Sequence, residues 1–205
     1  MDNEILFRVA LLVMAIGYIV PRFYFRSQAR RADPQSQAIL HGTTESKVRL
    51  ALMGISGLGT HLLSIVWLIH PAWVGWSSLT LPDWLRWVGA AVGAVAVWLG
   101  YLAHRDLGLS YTPTLRTGGK RQLIVQGVYR WMRHPMYTSF FAYFIASFLL
   151  IANWLVGVLG LVYSLLILER VGHEERMLLE TYGEEYRHYI QRTGRLLPRL
   201  IHRSD

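Results

Sequence analysis

The sequence predicts an all-α polytopic membrane protein of about five transmembrane helices, with a polar loop and a carboxyl-terminal amphipathic helix gathered on one face. Three observations predict it. Hydrophobic residues fill 53% of the 205 positions and charged residues only 17%. The mean hydropathy is +0.28, and the apolar residues come in long blocks. Every Lys and Arg except Arg8 and Arg86 falls in one of three segments, 22–49, 105–133 and 170–203. Basic clusters that flank apolar spans are the positive-inside signature, so the net charge of +8 reads as membrane topology and not as nucleic-acid binding. With no cysteine, the chain has no disulfide, Cys-ligated zinc, iron–sulfur cluster or thiol nucleophile.

The first span is expected at 5–25, with Asp2 and Glu4 before it and Arg22 and Arg26 at its far end. Its start is too uncharged, and lacks the small-residue cleavage site, for a cleavable signal peptide. The second and third spans are expected at 50–69 and 85–103. Between them, 70–82 has no Lys or Arg and, with Trp73, Trp76 and nearby Trp84, forms an aromatic belt. The fourth and fifth spans, 136–152 and 154–168, are separated by little more than Asn153 and should form a tight antiparallel hairpin. Each arm is only roughly 23–26 Å long at a 1.5 Å rise per residue, and snorkelling by Arg133 and Arg170 absorbs the mismatch. Five spans put the amino terminus outside, and the carboxyl terminus and all three basic segments on the cytoplasmic face. The chain is expected to be a single membrane domain over 1–205, with spans and loop over 1–122 and a motif-bearing region over 123–205.

On the inner face, 104–133 reads as a loop, with turn signals at Pro113 and Gly118-Gly119 and a β-like Leu123-Ile124-Val125 before Gly127. A helix is expected over 174–191. Leu178, Leu179, Tyr182, Tyr186, Tyr189 and Ile190 share its apolar face, opposed by Glu180, Glu184, Glu185 and Arg187. Gly183 weakens this helix and Gly194 with Pro198 ends it, giving an amphipathic lid. Gly54, Gly57 and Gly59, with Gly89 and Gly93, predict close helix packing in the bilayer.

Chemistry concentrates at the two ends of the hairpin. In Arg133-His134-Pro135-Met136-Tyr137, Pro135 suits the first turn of a helix and His134 its cap. The positive end of that helix suits an anionic group. Taken alone, these residues read more readily as a juxtamembrane anchor than as a binding site. At the far end Glu169 with His173, Arg170 with Glu174, and His173 with Arg176 have the spacing to pair along a helix. Glu169 and Arg170 directly follow Leu165-Leu166-Ile167-Leu168, where charge is costly and commonly has a role. Tyr129, Trp131, Tyr137, Tyr182, Tyr186 and Tyr189 serve either as interfacial anchors or as a clamp for an adenine ring or a sulfonium cation. The sequence has no Gly-rich phosphate loop, HExxH or GxSxG, and its histidines lack ligand spacing, so no metal site is expected.

Leu123–Val125, Gly127-Val128-Tyr129, the Arg133–Tyr137 element, the hairpin, Glu174-Glu175, Leu178, Tyr182-Gly183, Tyr186, Tyr189, Arg195 and Pro198 together resemble the carboxyl-terminal half of the isoprenylcysteine carboxyl methyltransferase family. The Arg-His-Pro-x-Tyr element is shared with membrane phospholipid methyltransferases and sterol carbon-14 reductases. Where that larger group commonly has Gly two positions after the Tyr, this chain has Ser139. The resemblance implies S-adenosylmethionine as cofactor, with Val125, Gly127, Tyr129, His134, Pro135, Tyr137, Tyr182 and Tyr186 around it. It also implies a reaction centre of Glu174 or Glu175 with an Arg, either Arg170 or Arg133. The implied partners are membrane lipids and a lipophilic small molecule, or a prenylated or lipid acceptor. Amine or thiol methylation, an NADPH-dependent sterol-type reductase and a non-enzymatic membrane scaffold stay open at this point.

Overall fold

A computed structural model describes residues 3–32, 46–108 and 123–199. The turn signals at Pro113 and Gly118-Gly119, with Arg116, Lys120, Arg121 and Arg203, lie outside the described residues. The elements are α1 (Asn3–Ala32), α2 (Lys47–Ile69), α3 (Asp83–Leu107), α4 (Pro135–Ile151), α5 (Trp154–Tyr182) and α6 (Glu184–Arg192). Among the described residues, α1, α2, α3 and α5 are long and apolar enough to cross a membrane, and α4 is a shorter apolar helix. The chain is an integral membrane protein, nearly all helical.

The shortest of the apolar helices takes the most interior position, because α4 is apolar all round and has no face that prefers solvent. It packs most extensively on α3 and then on α5; α1 lies on α3, and α2 on α5. The approach of α4 to α3 depends on Gly89, where an added Cβ would sit 2.7 Å from the Leu149 Cβ. Ser139, in the position commonly held by Gly, is fully buried opposite Gly100, donates to the Met136 carbonyl at 2.7 Å and is 3.0 Å from the Tyr18 hydroxyl. Serine therefore supports close approach here because its hydroxyl is satisfied within the bundle. Of the other expected packing glycines, Gly57 faces Tyr163 and Gly59 faces Leu159, whereas Gly54 faces open space.

The α4–α5 hairpin turns at Ala152, which takes a left-handed φ of 52°, and Asn153. The Asn153 side chain accepts from the Leu155 and Val156 amides at 3.0 and 3.2 Å, capping α5. It also donates to Ser77 Oγ at 2.7 Å, tying the hairpin to a 3-10 turn over Pro71–Ser77. Trp73, Trp76 and Trp84 at this end are about two-thirds exposed, as an aromatic belt requires.

Arg86 holds the same end together. Its guanidinium donates twice to the Leu150 carbonyl, at 3.0 and 2.7 Å, and once to Glu4 at 2.7 Å, and it lies 4.0 Å from the Phe7 ring centroid. It satisfies a last-turn carbonyl of α4 that hydrocarbon cannot hydrate. Arg86→Leu is expected to cost about 2–3 kcal/mol, the value of a hydrogen bond to a charged group. Thermal unfolding in detergent checks this, and Arg86→Lys should recover part of the loss.

Two sequence expectations change. Leu123-Ile124-Val125 forms no strand; it is irregular and leads into a 3-10 turn over Gly127–Arg130, since no strand among the described residues offers it a ladder. The helix expected over 174–191 is divided. Its first half continues α5, which ends at Tyr182, and Gly183 at a φ of 54° breaks the chain before α6. Tyr182 thus belongs to the long helix and only Tyr186 and Tyr189 to the short one. At 29 residues α5 is far longer than the expected fifth span. Its length of roughly 44 Å exceeds the ~30 Å hydrocarbon core. The charged final turns therefore project beyond the apolar layer.

Candidate active site at the entry of the fourth helix

Pro135 occupies the first turn of α4 and His134 its N-cap position. The chain after α6 returns to hold this entry in place. The Arg133 amide donates to the Gly194 carbonyl at 2.9 Å, the His134 amide to the Arg195 carbonyl at 3.1 Å, and the Gly194 amide to the Trp131 carbonyl at 3.1 Å. Gly194 and Pro198, read from sequence only as helix stops, are thus part of a strap. Gly194 is required there, because an added Cβ would collide with the Leu197 carbonyl oxygen.

The projecting turns of α5 bring two adjacent glutamates to the same point. Arg133 Nε donates to Glu175 Oε1 at 2.9 Å, His134 Nε2 lies 3.2 Å from the same oxygen, and Arg195 Nε donates to Oε2 at 2.9 Å. Arg133 also donates to the Thr193 carbonyl at 2.7 Å, so one guanidinium joins α4, α5 and the strap. Side-chain exposure is 9% for Arg133, 4% for His134 and 15% for Glu175, but 50% for Arg195. Both Glu175 oxygens are engaged by basic groups, which makes it a clamp. Glu174 turns to the other side of the α4 entry and accepts from the Tyr137 hydroxyl at 2.7 Å. The His134 and Tyr137 rings stack with centroids 5.6 Å apart.

Glu169 and His173 of α5 make contacts both within their own helix and to a neighbouring one. Glu169 meets Arg49 of α2 at 3.4 Å, and His173 Nδ1 donates to the Glu169 backbone carbonyl at 3.0 Å. Arg170 is buried, only 8% exposed. Glu184 and Arg187 form an exposed pair at 2.8 Å, as a solvated face does.

Tyr186 and Tyr189 are buried under α6, with centroids 5.8 Å apart. The Tyr189 hydroxyl donates to the Tyr129 carbonyl at 2.6 Å, while the Tyr186 hydroxyl has no partner among the described residues. Burial pushes the Tyr186 phenol well above the ordinary tyrosine range; the Glu175 charge adds to this and Arg133 opposes it. Tyr186 is therefore a neutral hydroxyl with a donor to give. A cavity of about 750 Å³ opens between 123–131 and α6, lined by Val125, Arg130, Trp131, Glu185, His188 and Arg192 among others. Of the residues expected around a cofactor, Val125 lines it. Gly127, Tyr129, His134, Pro135, Tyr137, Tyr182 and Tyr186 do not.

Sequence reading missed Asp106. Its Oδ2 accepts from the Val128 amide at 2.8 Å, and its carboxylate occupies the space that a Cβ on Gly127 would fill. Gly127 itself has a φ of 60°. Gly127→Ala should cost about 1–2 kcal/mol for the left-handed backbone alone, and more from displacing Asp106. Limited proteolysis near 123–131 should accelerate in this variant. An unchanged cleavage rate would show that the glycine is dispensable.

A profile described as "Isoprenylcysteine carboxyl methyltransferase (ICMT) family" matches residues 87–180. A rice (Oryza sativa subsp. indica) protein named "Probable protein-S-isoprenylcysteine O-methyltransferase" is 33% identical over 119 residues, covering 55% of this chain and 62% of that protein. The human protein-S-isoprenylcysteine O-methyltransferase is 28% identical over 126 residues, covering 60% and 44%. Methanethiol S-methyltransferase 1 of Bradyrhizobium diazoefficiens is 35% identical over 71 residues, covering 35% and 24%. The chain thus spans only part of the length of the curated relatives it matches. A solved structure of a eukaryotic intramembrane Ras methyltransferase, isoprenylcysteine carboxyl methyltransferase, aligns over 92% of this chain and 67% of its own, with a TM-score of 0.58 at 22% identity. The fold is shared with that enzyme, and the matched segment holds α4, Glu174 and Glu175. Over residues 87–180 the chain is similar to the isoprenylcysteine carboxyl methyltransferase family.

Proposed function

We propose that this protein is an S-adenosylmethionine-dependent methyltransferase acting on the carboxylate of a lipophilic acceptor in the membrane, of the isoprenylcysteine type. The observation that carries this reading is the direct contact between the two motif halves. Arg133, His134 and Tyr137 meet Glu175 and Glu174 at 2.9, 3.2 and 2.7 Å, although they lie 42, 41 and 37 residues away in sequence. The relatives' names as O-methyltransferases support the reaction class. Positive-inside bias supports a cytoplasmic basic end, with the amino terminus outside.

The residues present fit the cofactor. A buried Tyr186 hydroxyl, without a partner among the described residues, and the Glu174 carboxylate stand at the α4 entry. The adjoining cavity combines Trp131 and His188 rings with Arg130, Arg192 and Glu185. Aromatic faces suit an adenine, guanidinium groups a carboxylate, and a glutamate a sulfonium. His134, Tyr137, Glu174 and Tyr186 would hold the methyl-bearing end, with Val125 on the cavity wall and Gly127, Tyr129, Pro135 and Tyr182 outside it. When bound, S-adenosylmethionine supplies an electrophilic methyl group that an ionised carboxylate attacks without a general base.

The chain's own residues then have three tasks. Glu175, with Arg133 and Arg195, fixes the α4 entry against α5 and the strap and so positions Tyr137 and His134. Arg170, buried one helical turn before Glu174, orients the acceptor carboxylate. The apolar layer around α4 excludes water. Glu175 is a positioning residue in this scheme, while Arg170 and Glu174 act at the reaction centre.

The match to a methanethiol methyltransferase brings a thiol acceptor into consideration. A thiol near its ordinary pKa must lose a proton, and Glu175, occupied by three basic groups, is not placed to take it. The carboxylate reading needs no such base. The test is transfer of labelled methyl from S-adenosylmethionine to prenylcysteine, phosphatidylethanolamine and thiol acceptors by purified protein. Prenylcysteine esterification is expected. Transfer to the thiol alone would overturn the acceptor class, and no transfer with no cofactor binding by calorimetry would overturn methyl transfer itself.

A further inference from the structure

Asp106, in the last turn of α3, is a carboxylate withdrawn from water that methyl transfer itself does not use. Its side chain is 8% exposed and both oxygens are engaged: Oδ1 accepts from Arg105 Nε at 2.7 Å, and Oδ2 from the Val128 amide at 2.8 Å. The two partners differ in weight. Arg105 is its sequence neighbour and 52% exposed, so water screens that contact. The Val128 amide arrives from 22 residues further along, and a backbone N–H donating to a carboxylate makes a charge-assisted bond. Such a bond offsets the cost of turning the carboxylate inward.

The segment that Asp106 holds runs along the cavity. The 3-10 turn Gly127–Arg130 is tied to α3 twice, by Asp106 and by the Tyr129 hydroxyl, which donates to the Ala103 carbonyl at 3.4 Å. The second tie is long and weak, which leaves Asp106 as the stronger of the two. From the other side the Tyr189 hydroxyl of α6 donates to the Tyr129 carbonyl at 2.6 Å. Val125 on one side of these ties, and Arg130 and Trp131 on the other, line the cavity, and Tyr189 lines it from α6. Gly127 makes the fit possible. The Asp106 carboxylate fills the space of a Cβ there, and the φ of 60° is one that side chains disfavour. Asp106 and Gly127 thus act as one device, a carboxylate on α3 seated against a glycine of the turn.

We propose that Asp106 is a positioning residue for the cofactor: seated against Gly127, it sets the Gly127–Arg130 turn and with it the cavity wall on which the adenosine end of S-adenosylmethionine rests. The proposal rests on the reading of this cavity as the cofactor's. Glu174 and Tyr137 hold the methyl-bearing end through a hydrogen bond in which Asp106 has no part. Loss of the tie should therefore weaken S-adenosylmethionine and S-adenosylhomocysteine equally. Because that binding is uniform, kcat at saturating cofactor should hold.

Calorimetry with both ligands, and steady-state kinetics with prenylcysteine as acceptor, test this in the detergent-purified full chain. Asp106→Ala should raise the Kd of both ligands and the KM for S-adenosylmethionine about tenfold, with kcat and the acceptor's KM within about twofold. Asp106→Asn keeps an oxygen for the Val128 amide and should stay within about threefold of wild type, a rescue that general loosening of the fold does not give. Gly127→Ala, which evicts the carboxylate, should weaken binding as Asp106→Ala does and add less than about threefold to it in the double variant. It reads the same contact where Asp106→Ala fails to fold. Unchanged cofactor affinity in Asp106→Ala, an equal loss in Asp106→Asn, or an acceptor KM that moves with the cofactor's would overturn the proposal. Trp131→Ala, on the cavity wall but outside the tie, separates the two ways of failing. If affinity held in both Trp131→Ala and Asp106→Ala, the cavity would lose the cofactor; if only Trp131→Ala weakened it, Asp106 alone would lose its role.

Discussion

Glu175→Ala should destabilise the protein by about 3–5 kcal/mol, the cost of stranding one partner of a buried ion pair. The Arg133 side chain is 9% exposed and His134 4% exposed, so neither regains much water when the carboxylate is lost. For a chain of this size the expected fall in thermal midpoint is on the order of 10 °C. Glu175→Gln should lose less, since its amide oxygen still accepts one of the donors. A double-mutant cycle separates the partners: coupling between Glu175 and Arg133 should be several-fold larger than that between Glu175 and Arg195. Arg195 is 50% exposed and makes a screened surface contact worth about 1 kcal/mol or less. Methyl transfer should collapse with Glu175→Ala, because the same clamp sets the angle at which α4 leaves the strap. Equal couplings, or a stability loss under 1 kcal/mol, would remove Glu175 from that role.

How much of this clamp was legible depended on the range of the interaction. The Arg-His-Pro element and the two glutamates stood out because charge beside an apolar run is costly, and the short Asn153 connection required their helices to be antiparallel neighbours. The partner of each glutamate was not legible. Spacing along α5 points to His173 and Arg170, and the fold adds Arg49 at Glu169 and Tyr137 at Glu174. Helical periodicity describes one element and contains nothing about the residue that another element presents. The strap was missed for a similar reason: Gly194 and Pro198 signal where a helix stops, but the backbone pairing of Met132 with Gly194 has no side-chain pattern. Asp106 was invisible because its partner from beyond its own helix is a backbone amide. Gly183, in contrast, is a legible break, since glycine weakens a helix interior. Its positive φ of 54° ends α5 at Tyr182.

The second large effect expected is on the cofactor's charge, at Glu174. S-adenosylmethionine carries a sulfonium cation that is lost on methyl transfer, so the demethylated product is neutral at sulfur. A carboxylate a few ångströms from that sulfur contributes several kcal/mol at an effective dielectric near 20. Part of this is already offset by water and by the Tyr137 hydroxyl that Glu174 accepts at 2.7 Å. Glu174→Gln should therefore weaken S-adenosylmethionine binding about 10²-fold and change binding of S-adenosylhomocysteine by less than about threefold, as calorimetry with both ligands will measure. Tyr137→Phe, which removes the hydroxyl and keeps the stacked ring against His134, should lower kcat/KM by about tenfold with a stability change near 1 kcal/mol. The two substitutions should not be additive, since both break one hydrogen bond. If Glu174→Gln weakened both ligands equally, Glu174 would be acting through shape and not through charge, and its place beside the sulfonium would be lost. The adjacent Glu175 sharpens the contrast. Next to Glu174 on α5, it should respond mainly in stability, because its charge is spent on Arg133, His134 and Arg195.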